Sequence, residues 1–284
     1  EPHLIAWFSA GAFVLIGFPI SIAGIYGHLS HYYQPGIQVY VVRILWMVPV
    51  YSLGSWLCLR FKSYAVLIET FRDAYEAYVI YCFLNFLIQV LGGEDTLVMI
   101  LKDKSPTRGF HMFPLSMCLK PWIMGQPETS PFYLKCKFGV LQYVLIKILT
   151  TFTTVLLQLN GLYTEGSFSP SNGYLYVSTV INVSQCWALY CLAFFYFATK
   201  NELSHIRPVG KFLCVKALVF FTWWQVRAGR DSVGVSILYG MGMIPSTASW
   251  GSEDVAKGIQ DYLICIEMFI GAVVHQFVFH HGDY

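Results

Sequence analysis

This sequence is short of charge. Only 12% of its 284 residues are Asp, Glu, Lys or Arg, about half the ~25% typical of soluble domains, and its mean hydropathy is +0.55. That balance excludes an ordinary soluble fold. The net charge of +2, with no basic patch laced with aromatics, gives no footprint for nucleic acid. Missing too are GxxxxGK[ST], HExxH, GxSxG and CxxC, so ATP-driven transport and the common hydrolases lose their signatures. The chain is expected not to be an enzyme and to hold no cofactor or metal. A retinal protein needs a Lys within its last span, where Lys257 only precedes the helix, and the end-of-helix motifs of G-protein-coupled receptors are absent. No internal repeat is visible.

The eight cysteines show no metal spacing. Cys58, Cys82, Cys186, Cys191, Cys214 and Cys265 fall in apolar runs as small hydrophobes. Cys118 and Cys136 lie in a long polar segment and read as inert loop thiols, with palmitoylation or pairing as alternatives. His275, His280 and His281 read as interfacial histidines rather than a zinc site.

What is present is apolar: 56% of the residues are hydrophobic and 17% aromatic, the second figure fitting interfacial belts. At ~20 residues per membrane crossing, the chain reads as an all-α bundle of seven transmembrane helices forming one domain over residues 1–284. The spans are Leu4 to Gly27, Ile37 to Leu59, Ile68 to Leu91, Phe138 to Leu159, Gly173 to Thr199, Phe212 to Ile244 and Gly258 to Phe279. Pro19 and Pro49 interrupt the first two, and Arg43 should snorkel. The first run is too long for a cleavable signal. Gly92 to Lys137 carries six Lys or Arg, whereas Asn160 to Asn172 has none. The positive-inside rule therefore makes residues 92–137 a cytoplasmic loop, with the amino terminus outside and the carboxyl terminus cytoplasmic. Asn182-Val183-Ser184 matches a glycosylation sequon but falls mid-span, so it reads as unglycosylated.

The third span carries the chemistry. Glu69, Arg72, Asp73 and Glu76 are spaced i, i+3, i+4 and i+7, so they share one helical face, and Arg72 can reach Glu69, Glu76 or both. A charge at a helix centre costs roughly 2.5 to 3.5 kcal/mol on an insertion scale, and each large aliphatic returns only about 0.3 to 0.6. The stripe must therefore face protein or water. It reads as an ion-pair cluster locking helices or as the lining of a solute pathway. Lys147 in the fourth span, and Gln260, Asp261 and Glu267 in the seventh, are the matching candidates. Gln260 and Glu267 share a face that looks like the partner of the stripe.

The motifs Phe71-Arg72-Asp73-Ala74-Tyr75-Glu76-Ala77, Leu91-Gly92-Gly93-Glu94, Gly173-Tyr174-Leu175-Tyr176, Pro208 to Lys216, Trp224-Gln225 and Gln260 to Phe269 resemble the transmembrane protein 184 family. That family is related to the organic solute transporter alpha subunit and to plant proteins of the vacuolar membrane. His111-Met112-Phe113-Pro114 and Pro208-Val209-Gly210-Lys211 are most similar to its C type. The resemblance implies seven spans in an endomembrane (vacuole, lysosome, endosome) or the plasma membrane. It also implies facilitative transport of organic amphipathic solutes such as steroid- or bile-acid-like anions, and a small single-span partner subunit or a homo-oligomer. Other members imply a non-transporting receptor or trafficking regulator instead. Two departures stand out. A cysteine-rich run is reduced to Cys118, and Val226 to Ser232 breaks the sixth span; the break is either a retained short intron or gene-model error, or a true broken helix lining a cavity.

Overall fold

Within lipid a backbone has no water to bond, so apolar runs of this length close their own hydrogen bonds as helices. The computed structural model describes residues 2–61, 64–104, 107–109, 122–124, 130–163, 170, 172–203, 210, 211, 214 and 252–283. Helix α1 runs over Pro2–Ser30 and passes through Pro19 without interruption. The second span is divided into α2, Pro35–Leu45, and α3, Met47–Arg60. The division falls at Trp46 rather than at Pro49. Pro49 has no N–H, and its ring clashes with the carbonyl four residues earlier, at Leu45. Helix α4 follows over Ala65–Val90, then α5 over Gly93–Asp103, α6 over Ser130–Leu159, α7 over Gly173–Thr199 and α8 over Ser252–Val278.

Five described spans are long and apolar enough to cross a membrane, and a sixth is gained when α4 and α5, bent 69° apart, are counted together. This all-helical set fits the expected seven-span bundle. Its sixth span from Phe212, with the Val226 to Ser232 interruption, lies outside the described residues, as does Cys118.

Three boundaries differ from the sequence reading; the last is that of α8, which begins at Ser252, six residues before Gly258, and so takes Lys257 into the helix. Gly92 to Lys137 is not one loop: Gly92 and Gly93 both take φ of 90°, a left-handed conformation that glycine tolerates, and so turn the chain from α4 into α5. Leu97 and Leu101 bury one face of α5 while Glu94, Asp95, Lys102 and Asp103 stay exposed, the pattern of a helix lying along an interface. A three-residue antiparallel ribbon, β1 Thr107–Gly109 with β2 Trp122–Met124, follows. Helix α6 then begins eight residues before Phe138 and carries Cys136 into the core with no exposure, so Cys136 is not a loop thiol.

Helix α4 stands between two groups. On one side α1, α2, α3 and α8 pack together; on the other α6 pairs with α7, and α4 touches α2, α3 and α6. From Ala77 to Ile88 nearly every residue of α4 is buried, as expected of a helix enclosed by others. Lipid is as apolar as leucine, so contact here depends on close fit rather than on escape from water. At Gly139 of α6 an added Cβ would lie 2.4 Å from Cys191 Sγ of α7, and at Gly24 of α1 one would lie 2.4 Å from the Gln276 amide of α8. The ends of α1 and the chain are tied by the His28 ring, which donates from Nε2 to the Phe279 carbonyl at 2.8 Å. His281 stacks between His31 and His280. In α7 the Asn182 amide donates to the Ser178 carbonyl at 2.7 Å, and Ser184 is buried, donating to Gln142 Oε1 of α6 at 2.9 Å. The sequon is thus absorbed into a helix contact.

Two outcomes are expected. Gly139→Ala should lower the thermal midpoint of the purified protein, because overpacking costs about 1 to 3 kcal/mol, and adding Cys191→Ala to the same chain should recover part of the loss. Lys135 is exposed near the start of α6. In a chain whose Cys118 is removed, Lys135→Cys should react with an impermeant maleimide once digitonin opens the plasma membrane, and not before. Labelling in intact cells would invert the orientation.

Candidate functional site

At about 100° per residue, the stripe on α4 is roughly 100° wide, with Arg72 at one margin, Asp73 at the other, and Glu69 and Glu76 between. Its margins therefore face different neighbours. Arg72 is buried and turns away from its own helix toward α3 and α8. Its Nη1 donates to Ser55 Oγ at 2.8 Å and stands 3.5 Å from Asp261 Oδ1, and the guanidinium lies 5.4 Å over the Tyr51 ring. At the other margin Lys147 of α6 donates to Asp73 Oδ2 at 2.9 Å. Between them Glu76 accepts from Gln185 Nε2 of α7 at 3.1 Å and from the Tyr51 hydroxyl at 3.4 Å. One helix thus supplies acids and a base to partners on α3, α6, α7 and α8.

The two ion pairs differ in their surroundings. Arg72 and Asp261 expose only 3% and 7% of their side chains, whereas Lys147 exposes 9% against 38% for Asp73. Asp73 is therefore partly exposed beside its partner, whereas Asp261 is enclosed together with Arg72.

Six of the eight residues singled out from sequence meet in this network. Gln260 and Glu267 stay half-buried on α8, about 100° round the helix from Asp261 or more. It is the face carrying Asp261, Cys265, Met268 and Ala272 that is buried, and Cys265 Sγ reaches the Ser52 carbonyl of α3 at 3.9 Å. Asp261, rather than the Gln260–Glu267 face, answers Arg72. Sequence reasoning missed Tyr51, Ser55 and Gln185. Their only signal was a hydroxyl or amide inside an apolar run, a weak one because Ser can satisfy itself on its own helix.

Among the described residues, Cys58, Glu69 and Asp261 bring their ligand atoms within 4.8 Å of one another. The positive charge a metal would supply there is already carried by Arg72, and the Cys58 thiol is turned to the Ala65 carbonyl. Two further pairs brace the α4–α5 end. Lys104 bonds the Ala198 carbonyl and stands 3.0 Å from Glu202 Oε1, and Lys137 pairs with Glu94.

A spanning bundle built around acid–base pairs narrows the class without naming it. The sequence profile of the organic solute transporter Ostalpha family matches residues 6–284. The chain belongs to that family. It is 39% identical to Protein LAZ1 of Arabidopsis thaliana over 96% of this chain and 58% of that protein. Protein LAZ1 homolog 1 of the same plant is 37% identical over 97% of this chain and 57% of its own length, and homolog 2 is 35% identical over 98% and 68%. The chain thus spans somewhat more than half the length of the first two relatives. No solved structure matches. The family resemblance read from the motifs is borne out, and the protein is an integral membrane protein in contact with lipid, in a family described by transport rather than by catalysis.

Removing one partner of a buried pair typically costs about 3 to 5 kcal/mol, because the other charge remains uncompensated. Arg72→Ala should therefore sharply reduce the monodisperse protein recovered by size exclusion, whereas the double change Arg72→Met with Asp261→Leu should recover much of it.

Proposed function

We propose that this protein is a facilitative transporter, or transporter-like channel, for organic amphipathic solutes, with steroid- or bile-acid-like anions as its substrates. Family membership supports the reading, and one observation carries it: acids and bases from several helices meet inside a spanning bundle, where charge is expensive and marks solute pathways. Of the two cations in the network, Arg72 and Lys147, the lysine is the better placed to exchange partners. An anionic head group that displaced Asp73 would leave that carboxylate 38% exposed, while Arg72 and Asp261 would go on holding α4 to α3 and α8. Glu69 and Glu76 balance the cations when the path is empty, and Gln260 and Glu267 continue the polar lining along α8. A small single-span subunit or a second copy belongs to the same proposal.

A second reading, a receptor or trafficking regulator that moves nothing, draws support from the fact that Arg72 and Lys147 are both already paired. Uptake of a labelled steroid sulfate into reconstituted vesicles separates the two. Transport predicts saturable uptake, reduced at least tenfold in Lys147→Met with the thermal midpoint kept near that of the parent chain. Uptake no greater than in protein-free vesicles, for every sulfated steroid and bile acid tried, would leave the second reading standing.

A further inference from the structure

The transport reading leaves one cluster of titratable side chains unused. Where the ends of α1 and α8 meet, His28 and His31 from the end of α1 come together with His280 and His281, which follow α8. Most of the polar groups here are donors. His28 holds the Phe279 carbonyl from Nε2, and His31 holds the Gly27 carbonyl from Nδ1 at 3.1 Å. Lys211 donates to the Val278 carbonyl at 3.0 Å and lies 5.3 Å over the Phe279 ring. A ring that donates keeps its bond when it gains a second proton.

His280 is different. Its Nδ1 lies 3.1 Å from the Gly282 backbone nitrogen, and a backbone N–H can only donate. Nδ1 must therefore carry a lone pair, which makes this ring neutral with its hydrogen on Nε2. The bond caps the single 3₁₀ turn His281–Asp283, as an Asn or Asp side chain would two residues upstream of the amide it accepts. The fit is close, since a Cβ on Gly282 would lie 3.0 Å from that nitrogen. A proton on Nδ1 removes the acceptor and the cap with it.

The stack opposes protons for a second reason. His281 lies between His31 and His280, with ring centroids 4.7 and 4.4 Å away and planes tilted by only 28° and 29°. Stacked rings do not converge their nitrogens on one point, and among the described residues no group of histidines brings three ligand atoms within 4.8 Å of one another, so a metal cage is not what this cluster builds. Two charged rings in the stack would repel each other. The groups around them bring little relief: His28 stands edge-on to His281 at 6.4 Å, Tyr33 lies 6.1 Å from His31, buried His275 packs on Phe279 at 5.4 Å, and Lys211 is a cation. The sequence after Glu267 holds one acid, Asp283. His31 and His280 are exposed, so solvent protons reach the stack directly.

We propose that His280 and the stack it joins form an acid-released clasp, in which neutral rings hold residues 280–282 against the end of α1 and protonation lets that segment go. The closed turn binds fewer protons than the open one, so closure is complete at higher pH and is lost as the pH falls through the imidazole range, about pH 7 to 6. The release stops short of the helix. Gln276 donates to the Ile20 carbonyl at 2.6 Å, and His28 and Lys211 keep their carbonyls when charged, so α8 stays seated on α1.

The test is backbone amide exchange of the full chain in phospholipid nanodiscs, read by mass spectrometry with the intrinsic pH dependence divided out. Between about pH 7.5 and about pH 5.5, which brackets imidazole titration, the Gly282 amide should lose at least fivefold protection while residues 188–195 of α7 stay unchanged. His280→Asn offers an amide oxygen that accepts the same N–H at any pH, so it should keep Gly282 protected at both values. His281→Phe stacks without taking a charge and should reduce the loss. Equal protection of Gly282 at the two pH values in the parent chain, or a pH step that survives in His280→Asn, would overturn the proposal. So would a loss that runs through α7 as well, which is general acid unfolding. Flux is not the readout, and the result stands apart from the transport reading.

Discussion

The structure depends on one constraint: ionised side chains within a membrane helix must find partners on other helices. Helix α4 carries four such groups in eight residues, Glu69 to Glu76, at a collective insertion cost that the remaining leucines and phenylalanines of one helix do not offset. It can persist only at the centre of a bundle. Its position between the α1–α2–α3–α8 group and the α6–α7 pair follows from that requirement, and the partners it recruits are what hold the two groups in register.

The width of the stripe then determines which partners those are. A narrower stripe would face one neighbour. Because Arg72 and Asp73 sit at opposite margins, the base goes to α3 and α8 while the acid goes to Lys147 of α6. The result is an asymmetric device, with a closed pair on one side and a partly exposed pair on the other. Closed pairs lend rigidity, and accessible pairs can exchange.

The charged stripe was legible because cost alone demanded a partner for each charge, and Lys147 and Asp261 were among the few candidates in apolar runs. Which face of α8 would meet the stripe was not legible. Period-3.6 reasoning grouped Gln260 with Glu267, but the buried face is fixed by α8 fitting against α1 and α3, where Gly17 comes close to Phe269 and Gly24 to Gln276. Shape selected Asp261, and sequence pattern carries no record of shape. The same holds for Cys136: Lys135 and Lys137 on either side made the stretch look like loop, yet on a helix the charges point outward while the cysteine between them packs on α7. Pro49 was read correctly as a disturbance, and its effect appears one turn earlier because the clash is with the preceding carbonyl.

Glycine and charge divide the work between them. Where α6 meets α7 and α1 meets α8, the backbones approach because Gly139 and Gly24 leave no side chain in the way, and such contacts gain from dispersion and close fit. Around the front half of α4 the contacts are polar and depend on donors meeting acceptors. A contact of fit is lost gradually as a side chain grows, whereas a buried ion pair fails as a unit when either member is removed. The two regimes meet at Gly54. Gly54 is followed on α3 by Ser55, which accepts from the guanidinium, so one turn of α3 sets both the close approach to Ile68 and a polar contact to Arg72.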